Sequence, residues 1–187
     1  MKMLFENWRK YLNEENNVVK ISCGILPYRV VGDDIEFLLG EPPQKSYWTI
    51  MKGGKNEGES DMQAAIREFE EEALNANFGA FSGNVVPDLV LTGQVGSGKK
   101  KKMLKIFLAK WDWEPDNFIP NTQPDYVIGK GEFEGQPEIV SVQWWKADKA
   151  KSSVAKSQAP IISQALEYLE GNEAMYIKEF IRHGKNI

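Results

Sequence analysis

The sequence predicts an α/β (α+β) fold in which a β-sheet packs between helices. Strand-like segments separated by turn residues occupy both halves of the chain. A strongly amphipathic helix is predicted between these halves at residues 60–74, and a further apolar helical pattern follows the last strand. Strands interleaved with packing helices in this way are typical of an α/β sandwich.

The predicted central helix has a clear start and one apolar face. Ser60 followed three residues later by Gln63 is a capping box, because the hydroxyl and the amide each satisfy an unpaired backbone donor. Apolar residues then recur at spacings of three and four, which gives a single apolar stripe at about 100° per residue. These residues are Met62, Ala65, Ile66, Phe69 and Ala73.

Three glutamates lie together on the opposite side of this helix. Glu68, Glu71 and Glu72 fall within an arc of roughly 100°. The like-charged pair Glu68 and Glu72, four residues apart, costs an isolated helix about 0.2–0.5 kcal/mol. A divalent cation such as Mg²⁺ would reverse the sign of this interaction, because it binds through carboxylates, waters and phosphates. The alternative is a plain solvated acidic face.

The loop before the helix favours the functional interpretation. Gly53, Gly54 and Gly58 permit the positive φ angles and the close backbone approach that a phosphate-facing turn needs.

A later stretch, Gly93 to Lys100, nearly matches the P-loop pattern G-x4-G-K-[ST]. Lys100 replaces the required hydroxyl residue, however, and a strand pattern follows instead of a helix. We therefore reject a P-loop nucleoside triphosphatase (NTPase).

The spacing of the loop and helix residues resembles the Nudix box, G-x5-E-x7-R-E-U-x-E-E-x-G-U, where U is aliphatic or aromatic. Gly53 is followed after five residues by Glu59, and after seven more by Arg67-Glu68-Phe69-Glu70-Glu71-Glu72. All of these positions match the family pattern. The match then ends, because Leu74 stands where the family has Gly and Asn75 where it has an apolar residue.

The resemblance extends over roughly residues 18–170 and implies a mixed β-sheet between helices. Four segments are similar to a bacterial branch of predicted Nudix NTP pyrophosphohydrolases: Ile21 to Tyr28, Trp48 to Gly53, Lys99 to Lys102 and Pro137 to Trp145. That branch is related in pattern to diadenosine-polyphosphate hydrolases. Met51 departs from it, because the branch normally has Pro at this position.

Family resemblance also implies roles for individual residues. Glu68, Glu71 and Glu72 would hold Mg²⁺ (or Mn²⁺), together with the backbone carbonyl of Lys52. Arg67 would orient a carboxylate, and Glu59 would brace Arg67 or hold a metal-bound water.

The general base varies between Nudix branches. It is either a box glutamate, such as Glu71, or an acidic residue from a later loop, for which Glu132, Glu134 and Glu138 are the candidates. Each of these three has a plain surface acid as its alternative.

Candidate substrate contacts come from the loop and from a basic hairpin tip. Lys52 and Gly53 lie in the glycine loop, and Lys99 begins a run of four lysines that could contact a polyphosphate or simply be solvated. Trp48 and Tyr47 could stack on a base, and the alternative for Trp48 is that it packs beneath the sheet.

The strands are expected in order along the chain. Val18 to Val31, broken by Pro27, and Ile35 to Leu39 form a hairpin around Gly32-Asp33-Asp34. Residues 75–87 are expected to be loop. Further strands are expected at Leu89 to Val95, Met103 to Trp113 and Ile139 to Trp145, with a long insert at 114–137 that is functional or disordered. One helix is expected from Pro160, followed by a separate final helical pattern at 175–181.

Three segments are expected in the chain: an amphipathic helix at 1–17, a Nudix domain at 18–170, and a helical extension at 171–187. The first helix carries Leu4, Phe5, Trp8, Tyr11 and Leu12 at helical spacing. It either packs on its own domain or serves as a docking or homo-oligomer helix.

Composition limits the possible binding partners and indicates the cellular compartment. The formal net charge of −4 argues against binding to duplex nucleic acid, which needs a basic footprint. The sequence contains no long apolar span and no signal-peptide pattern, so we expect a cytoplasmic protein without a membrane segment. Cys23 is the single cysteine and is expected in the core of a strand.

The sequence therefore predicts a Mg²⁺-dependent Nudix pyrophosphohydrolase that cleaves the diphosphate bond of a nucleoside diphosphate linked to another group. An NTP or a dinucleoside polyphosphate is the expected type of substrate. Two alternatives remain open: a non-catalytic Nudix-fold module that senses a nucleotide or docks a partner, and an enzyme that removes pyrophosphate from RNA 5′ ends.

Overall fold

The computed structural model describes residues 20–43, 46–73, 81–96, 101–115, 118–123 and 127–183. The helix expected at 1–17 lies outside these ranges, as do Leu74, Asn75 and Lys99. Within these ranges, the chain forms six strands and three helices.

Six strands form one mixed sheet. They are β1 (Lys20–Val31), β2 (Asp34–Glu41), β3 (Lys52–Gly54), β4 (Asn84–Val95), β5 (Lys102–Lys110) and β6 (Ser141–Lys146). The strand order is β4-β5-β1-β2-β6, and β3 pairs with β1 beside this path. β1 and β5 run parallel, whereas β1–β2, β1–β3, β2–β6 and β4–β5 are antiparallel. The expected mixed sheet is confirmed.

Three helices cover the two faces of this sheet. They are α1 (Asp61–Ala73), α2 (Ala147–Ser153) and α3 (Ala159–His183). The buried residues of α1 belong to one hydrophobic cluster, and those of α2 and α3 belong to another. The expected α/β/α sandwich is therefore confirmed. In the part of the chain that the structure describes, no helix is long and apolar enough to cross a membrane.

Side chains of the central strands alternate between the two clusters. On β2, Leu38 packs on the α1 side, whereas Leu39 packs on the side of α2 and α3. On β5, Phe107 and Leu108 divide in the same way. This alternation follows from the two-residue period of a strand and leaves both faces of the sheet dry. Cys23 is fully buried on the α1 side, as expected.

The β1–β2 hairpin forms where it was predicted. Val31 pairs with Asp34, and Gly32 has a positive φ of 62° in the turn. The expected break at Pro27 is wrong, because β1 runs through it in parallel register with β5. Among the described residues, the register of β1 with β2 and β3 leaves Pro27 unpaired on that side. A missing N–H therefore has little effect on the sheet there.

Several other boundaries differ from the sequence prediction. β4 begins at Asn84 rather than near Leu89, because a register shift between Val85 and Val90 accommodates an irregular stretch that resembles a loop in the sequence. Helix α2 was not predicted. The two helical patterns expected near the C-terminus form one helix, α3, which continues across the proposed boundary at residues 170 and 171. In the described part of the 114–137 insert, an isolated bridge joins Val127 to Pro137.

Helix α1 is fixed to the sheet by an aromatic cluster. Phe69 is completely buried. Its ring contacts Phe81 at 5.1 Å and Trp111 at 5.6 Å between centroids, both edge to face. Edge-to-face contacts of this kind add about 0.5–1.5 kcal/mol to the effect of burial. Phe69 therefore determines how the acidic side of the same helix is presented.

We predict that Phe69→Ala lowers the free energy of unfolding by about 3–5 kcal/mol, because it removes a fully buried aromatic ring and leaves a cavity. Urea denaturation measures this change. Tyr47→Ala is a control at an exposed aromatic residue and should stay within about 0.5 kcal/mol. A loss below 1 kcal/mol for Phe69→Ala would show that this cluster does not anchor the helix.

Candidate active site

The glutamates of α1 and the glycine loop of β3 enclose one side of a cavity of about 480 Å³. Its charged lining comes from four separate parts of the fold. The lining includes Glu68, Glu71 and Glu72 from α1, Glu138 from the loop before β6, Lys52 from β3 and Lys102 from β5. Carboxylates and ammonium groups thus meet in one concave surface, which is a common arrangement for phosphate chemistry.

The start of α1 is fixed by local contacts that the sequence predicted. The backbone N–H of Gln63 donates to Ser60 Oγ at 3.1 Å, and the backbone N–H of Ser60 donates to Gln63 Oε1 at 2.8 Å. This reciprocal pair confirms the capping box. Asp61 then forms ion pairs with Lys55 of the preceding loop and with Lys105 of β5. The helix start is therefore joined both to the loop and to the sheet.

Arg67 contacts both the glycine loop and the acidic side of α1. Its guanidinium donates to both carboxylate oxygens of Glu59, at 2.7 and 3.0 Å, and to the backbone oxygen of Gly54 at 2.8 Å. It also contacts Glu68 at 2.8 Å and Glu71 at 3.0 Å. The planar fork of an arginine suits this multiple recognition, which a lysine could not reproduce. Arg67 thereby joins the glycine loop to the acidic side of α1.

Glu59 holds Arg67 from the loop side. Besides the paired contact with the guanidinium, Glu59 Oε2 accepts from the N–H of Asn56 at 2.8 Å. The Arg67 guanidinium is the main cause that lowers the pKa of Glu59 to about 2, and the Asn56 bond adds to it. Of the two roles that the resemblance implied for Glu59, the contacts are those of a brace for Arg67.

Gly53 allows the carboxylate of Glu68 to approach the loop backbone. A Cβ atom built at residue 53 would lie 1.8 Å from Glu68 Oε2, so a side chain there would displace the Glu68 carboxylate. Burial raises the pKa of Glu68, and the contact with Arg67 opposes this shift. The glycine at the start of the box thus leaves space for the Glu68 carboxylate in its present position.

Glu72 accepts a hydrogen bond from the loop at Lys52, one residue before Gly53. The backbone N–H of Lys52 donates to Glu72 Oε2 at 3.0 Å. Burial raises the pKa of Glu72 well above its usual range, with a further contribution from the negative charge of Glu138, whereas the charge of Lys52 lowers it. A carboxylate of this kind needs a compensating positive charge to stay ionised.

The chemistry of these donors fits a hard divalent cation. Oxygen ligands from carboxylates suit Mg²⁺ and Mn²⁺, and positive charge would offset the burial and mutual repulsion of Glu68 and Glu72. Their side-chain positions do not form a coordination shell, however. Within the described ranges, no three acidic, histidine or cysteine side chains are arranged to hold a metal ion. Arg67 contacts two of the glutamates and Lys52 the third, so the ligand set stays a prediction.

The other residues predicted for the site divide into two groups. Glu138 reaches the cavity, whereas Glu132 and Glu134 are exposed and do not line it. Trp48 does not line it either, because its ring packs against Trp145 at 5.2 Å in the cluster on the opposite side of the sheet. For Trp48 the packing alternative applies, and base stacking by this residue is not supported.

Sequence reasoning missed two supporting residues. The amide of Asn121, in the 114–137 insert, donates to the backbone oxygen of Glu71 at 3.0 Å. Gln158, before α3, accepts from the Ile50 N–H at 2.7 Å and donates to Thr49 Oγ1 at 2.8 Å. Both contacts join residues far apart in the chain, so no local pattern could have revealed them. They fix α1 and the approach to β3.

An α/β/α sandwich with a glutamate-lined helix against a glycine loop defines a protein of the Nudix class. The NUDIX domain family model matches residues 29–165, and the chain belongs to this family. The predicted resemblance is thereby confirmed. Nudix enzymes generally use divalent metal ions, and they act on small nucleotide substrates.

Two comparisons point to the same group of relatives. The chain is 48% identical over 59 residues to a Caenorhabditis elegans bis(5′-nucleosyl)-tetraphosphatase (asymmetrical), an alignment that covers 30% of this chain and 41% of that protein. The chain thus spans about two fifths of this relative's length.

The fold of this chain is similar to that in the crystal structure of a C. elegans Ap4A hydrolase binary complex. The TM-score is 0.60, with 25% identity, and the comparison covers 82% of this chain and 99% of that one. A Nudix hydrolase from M. smegmatis, RenU, shares the fold at a TM-score of 0.55 and 20% identity, over 80% of this chain and 85% of that one.

We predict that Glu59→Gln destabilises the protein at pH 7 and that this difference disappears as the pH falls. The pKa of Glu59 is lowered in the folded protein, so its stabilising effect is complete above the ordinary value of 4.5 and is lost as the pH approaches about 2. Urea denaturation of both proteins between pH 7 and pH 2.5 measures this convergence. A difference that stays constant over this range would contradict the assigned contact with Arg67.

Proposed function

We propose that this protein is a metal-dependent Nudix pyrophosphohydrolase. It would hydrolyse the diphosphate bond of a nucleoside diphosphate linked to another group, such as an NTP or a dinucleoside polyphosphate. The observation that carries this proposal is the meeting of the three box glutamates, Glu138 and two lysines around one cavity. Family membership over residues 29–165 supports the same reaction class.

Glu68, Glu71 and Glu72 would hold Mg²⁺ or Mn²⁺, together with the backbone carbonyl of Lys52. The bound cation would neutralise charge on the phosphates and favour attack by water. To hold the cation, the carboxylates of Glu68 and Glu71 would have to turn away from Arg67. Arg67 would stay in place, because Glu59 and the Gly54 carbonyl hold it independently of both glutamates.

The two lysines of the cavity would bind the phosphates directly. Lys52 and Lys102 line the cavity from different strands, so they can contact phosphates from two directions. Fixed ammonium groups stabilise the negative charge that builds up as a phosphoryl group is transferred. Trp48 lies on the far side of the sheet, so recognition of a base falls to other residues of the chain.

Glu138 is our candidate for the general base. It is exposed and lines the same cavity as Glu68 and Glu72, so it has access both to water and to the reacting groups. It would accept a proton from the attacking water as the new phosphorus–oxygen bond forms. The bridging phosphorus–oxygen bond then breaks, which gives a nucleoside monophosphate and a phosphorylated remainder.

The C. elegans relatives support dinucleoside polyphosphates as the substrate class, because their names identify them as a bis(5′-nucleosyl)-tetraphosphatase and an Ap4A hydrolase. A cytoplasmic location agrees with metabolites of this kind. Residues 1–17 remain our candidate for docking or homo-oligomer formation.

A second candidate function is nucleotide sensing without turnover. It is favoured by the departures from the family pattern at Met51, Leu74 and Asn75. A panel of dinucleoside polyphosphates, nucleotide sugars, ADP-ribose, deoxynucleoside triphosphates and triphosphorylated RNA, with Mg²⁺ or Mn²⁺, separates the two. Release of cleaved products supports the enzyme, whereas tight binding without cleavage supports the sensor. Cleavage of the RNA alone would support the RNA 5′-end alternative.

We predict that the double variant Glu71→Gln with Glu72→Gln loses more than about 10²-fold in kcat and stays folded. Glutamine keeps the size of each side chain and still offers an oxygen to the Lys52 N–H, but it removes the negative charges needed for a cation. Steady-state kinetics on the best substrate of the panel and thermal unfolding measure the two effects.

The matched control is Glu167→Gln with Glu170→Gln, because it removes the same charge from exposed positions of α3. This control should keep full activity. Unchanged turnover in the Glu71 and Glu72 double variant would refute the proposed catalytic site.

A further inference from the structure

A second cavity adjoins the 480 Å³ cavity of the candidate active site, which we call the acidic cavity, and shares two lining residues with it. Both cavities are lined by Gly54 and Lys102. The second one has a volume of about 520 Å³, and its remaining lining residues are Lys20, Ile21, Lys55, Asn56 and Glu57. The two cavities therefore meet along one boundary, where a ligand could extend from one into the other.

The sign of the charge changes across this boundary. The first cavity is lined by four glutamates and two lysines, whereas the second is lined by three lysines and one glutamate. An anionic ligand in the first cavity needs a cation to offset the carboxylates, but in the second it would meet positive charge directly. We call the second one the basic cavity.

The lysines of the basic cavity come from three segments that the fold brings together. Lys20 starts β1 and Lys102 starts β5, and the parallel register of these strands makes them direct neighbours. Both are exposed. Like charges placed opposite each other destabilise a sheet. A bound anion would remove this repulsion.

Lys55 contributes further positive charge from the loop after β3. Its Nζ pairs with Asp61 at 2.8 Å, but the same carboxylate also pairs with Lys105. One negative charge is thus shared by two ammonium groups, which leaves an excess of positive charge beside the cavity. Asp61 also restricts the position of Lys55, so less entropy is lost when a ligand binds there.

We infer that the basic cavity binds the phosphate groups that lie beyond the cleaved diphosphate. This inference rests on the proposed function and deepens it. The substrate class is then a linear polyphosphate with three or more phosphates, preferred over two-phosphate compounds such as nucleotide sugars and ADP-ribose. A two-phosphate substrate fills the acidic cavity without placing a further phosphate beside Lys20 and Lys55.

The kinetic test compares a four-phosphate dinucleotide with ADP-ribose. Selectivity is the ratio of their kcat/KM values, measured for the wild type, Lys20→Gln, Lys55→Gln and the double variant. Each substitution should lower this ratio about threefold, and the double variant about tenfold, because each removes one positive charge near the additional phosphates. Lys20→Gln keeps the test valid if Lys55→Gln disturbs the loop through Asp61.

The matched control is Lys110→Gln, which removes the same charge from an exposed lysine at the opposite end of β5. It should keep the wild-type ratio. An unchanged ratio in the double variant, or an equal fall in the control, would overturn the inference.

A binding measurement separates this inference from the proposed function. In EDTA, calorimetry should show that the wild type binds inorganic tripolyphosphate more tightly than pyrophosphate, and that the Lys20 and Lys55 double variant loses this preference. This result can appear even if the wild type cleaves no substrate, which would refute the proposed reaction alone. Equal binding of both ions by the wild type would overturn the inference.

Discussion

The arrangement of the site depends on one guanidinium group. Arg67 binds both oxygens of Glu59 and the Gly54 carbonyl on the loop side, and Glu68 and Glu71 on the helix side. Without it, Glu59 on the loop side and Glu68 and Glu71 on the helix side would lose the positive charge that they share. Charge-assisted contacts of this kind are about twice as strong as neutral ones, and their fixed geometry adds specificity. The family's requirement for an arginine at this position thus has a direct physical reason.

The glycine loop is held from the opposite side of the sheet as well. Gln158 binds the Ile50 N–H, two residues before the Lys52 amide that donates to Glu72. The backbone N–H of Trp48 also donates to the backbone oxygen of Ser153 in α2. Residues 48–52 are therefore held on one side by α2 and by Gln158 before α3, and on the other side by α1. This double attachment offsets the cost of keeping partly buried carboxylates close together, and it holds them ready to bind positive charge.

The parts of the molecule that could be predicted are those encoded by local spacing. The capping box at Ser60, the apolar stripe of α1 and the turn at Gly32 each depend on residues within a few positions of one another, and all three are confirmed. The wrong expectation at Pro27 has a different origin. The effect of a proline on a strand depends on which neighbouring strand faces its missing N–H, and this is a property of the whole sheet.

The remaining features depend on contacts between distant residues. Asn121 and Gln158 reach the site from segments with no motif of their own, and the basic cavity exists because β1 and β5 lie side by side in parallel. The box indicated which carboxylates would meet, since they share one helix face. It carried no information on the side chains that hold this face, or on the lysines next to it.

The central claim is that the glutamates of α1 bind a divalent cation once phosphate is present. The most direct measurement is anomalous X-ray diffraction from crystals grown with Mn²⁺ and a slowly hydrolysed nucleotide. We predict an anomalous peak at coordination distance from the carboxylates of Glu68, Glu71 and Glu72, with Arg67 still bound to Glu59. Bound nucleotide without a peak beside these carboxylates would contradict the account.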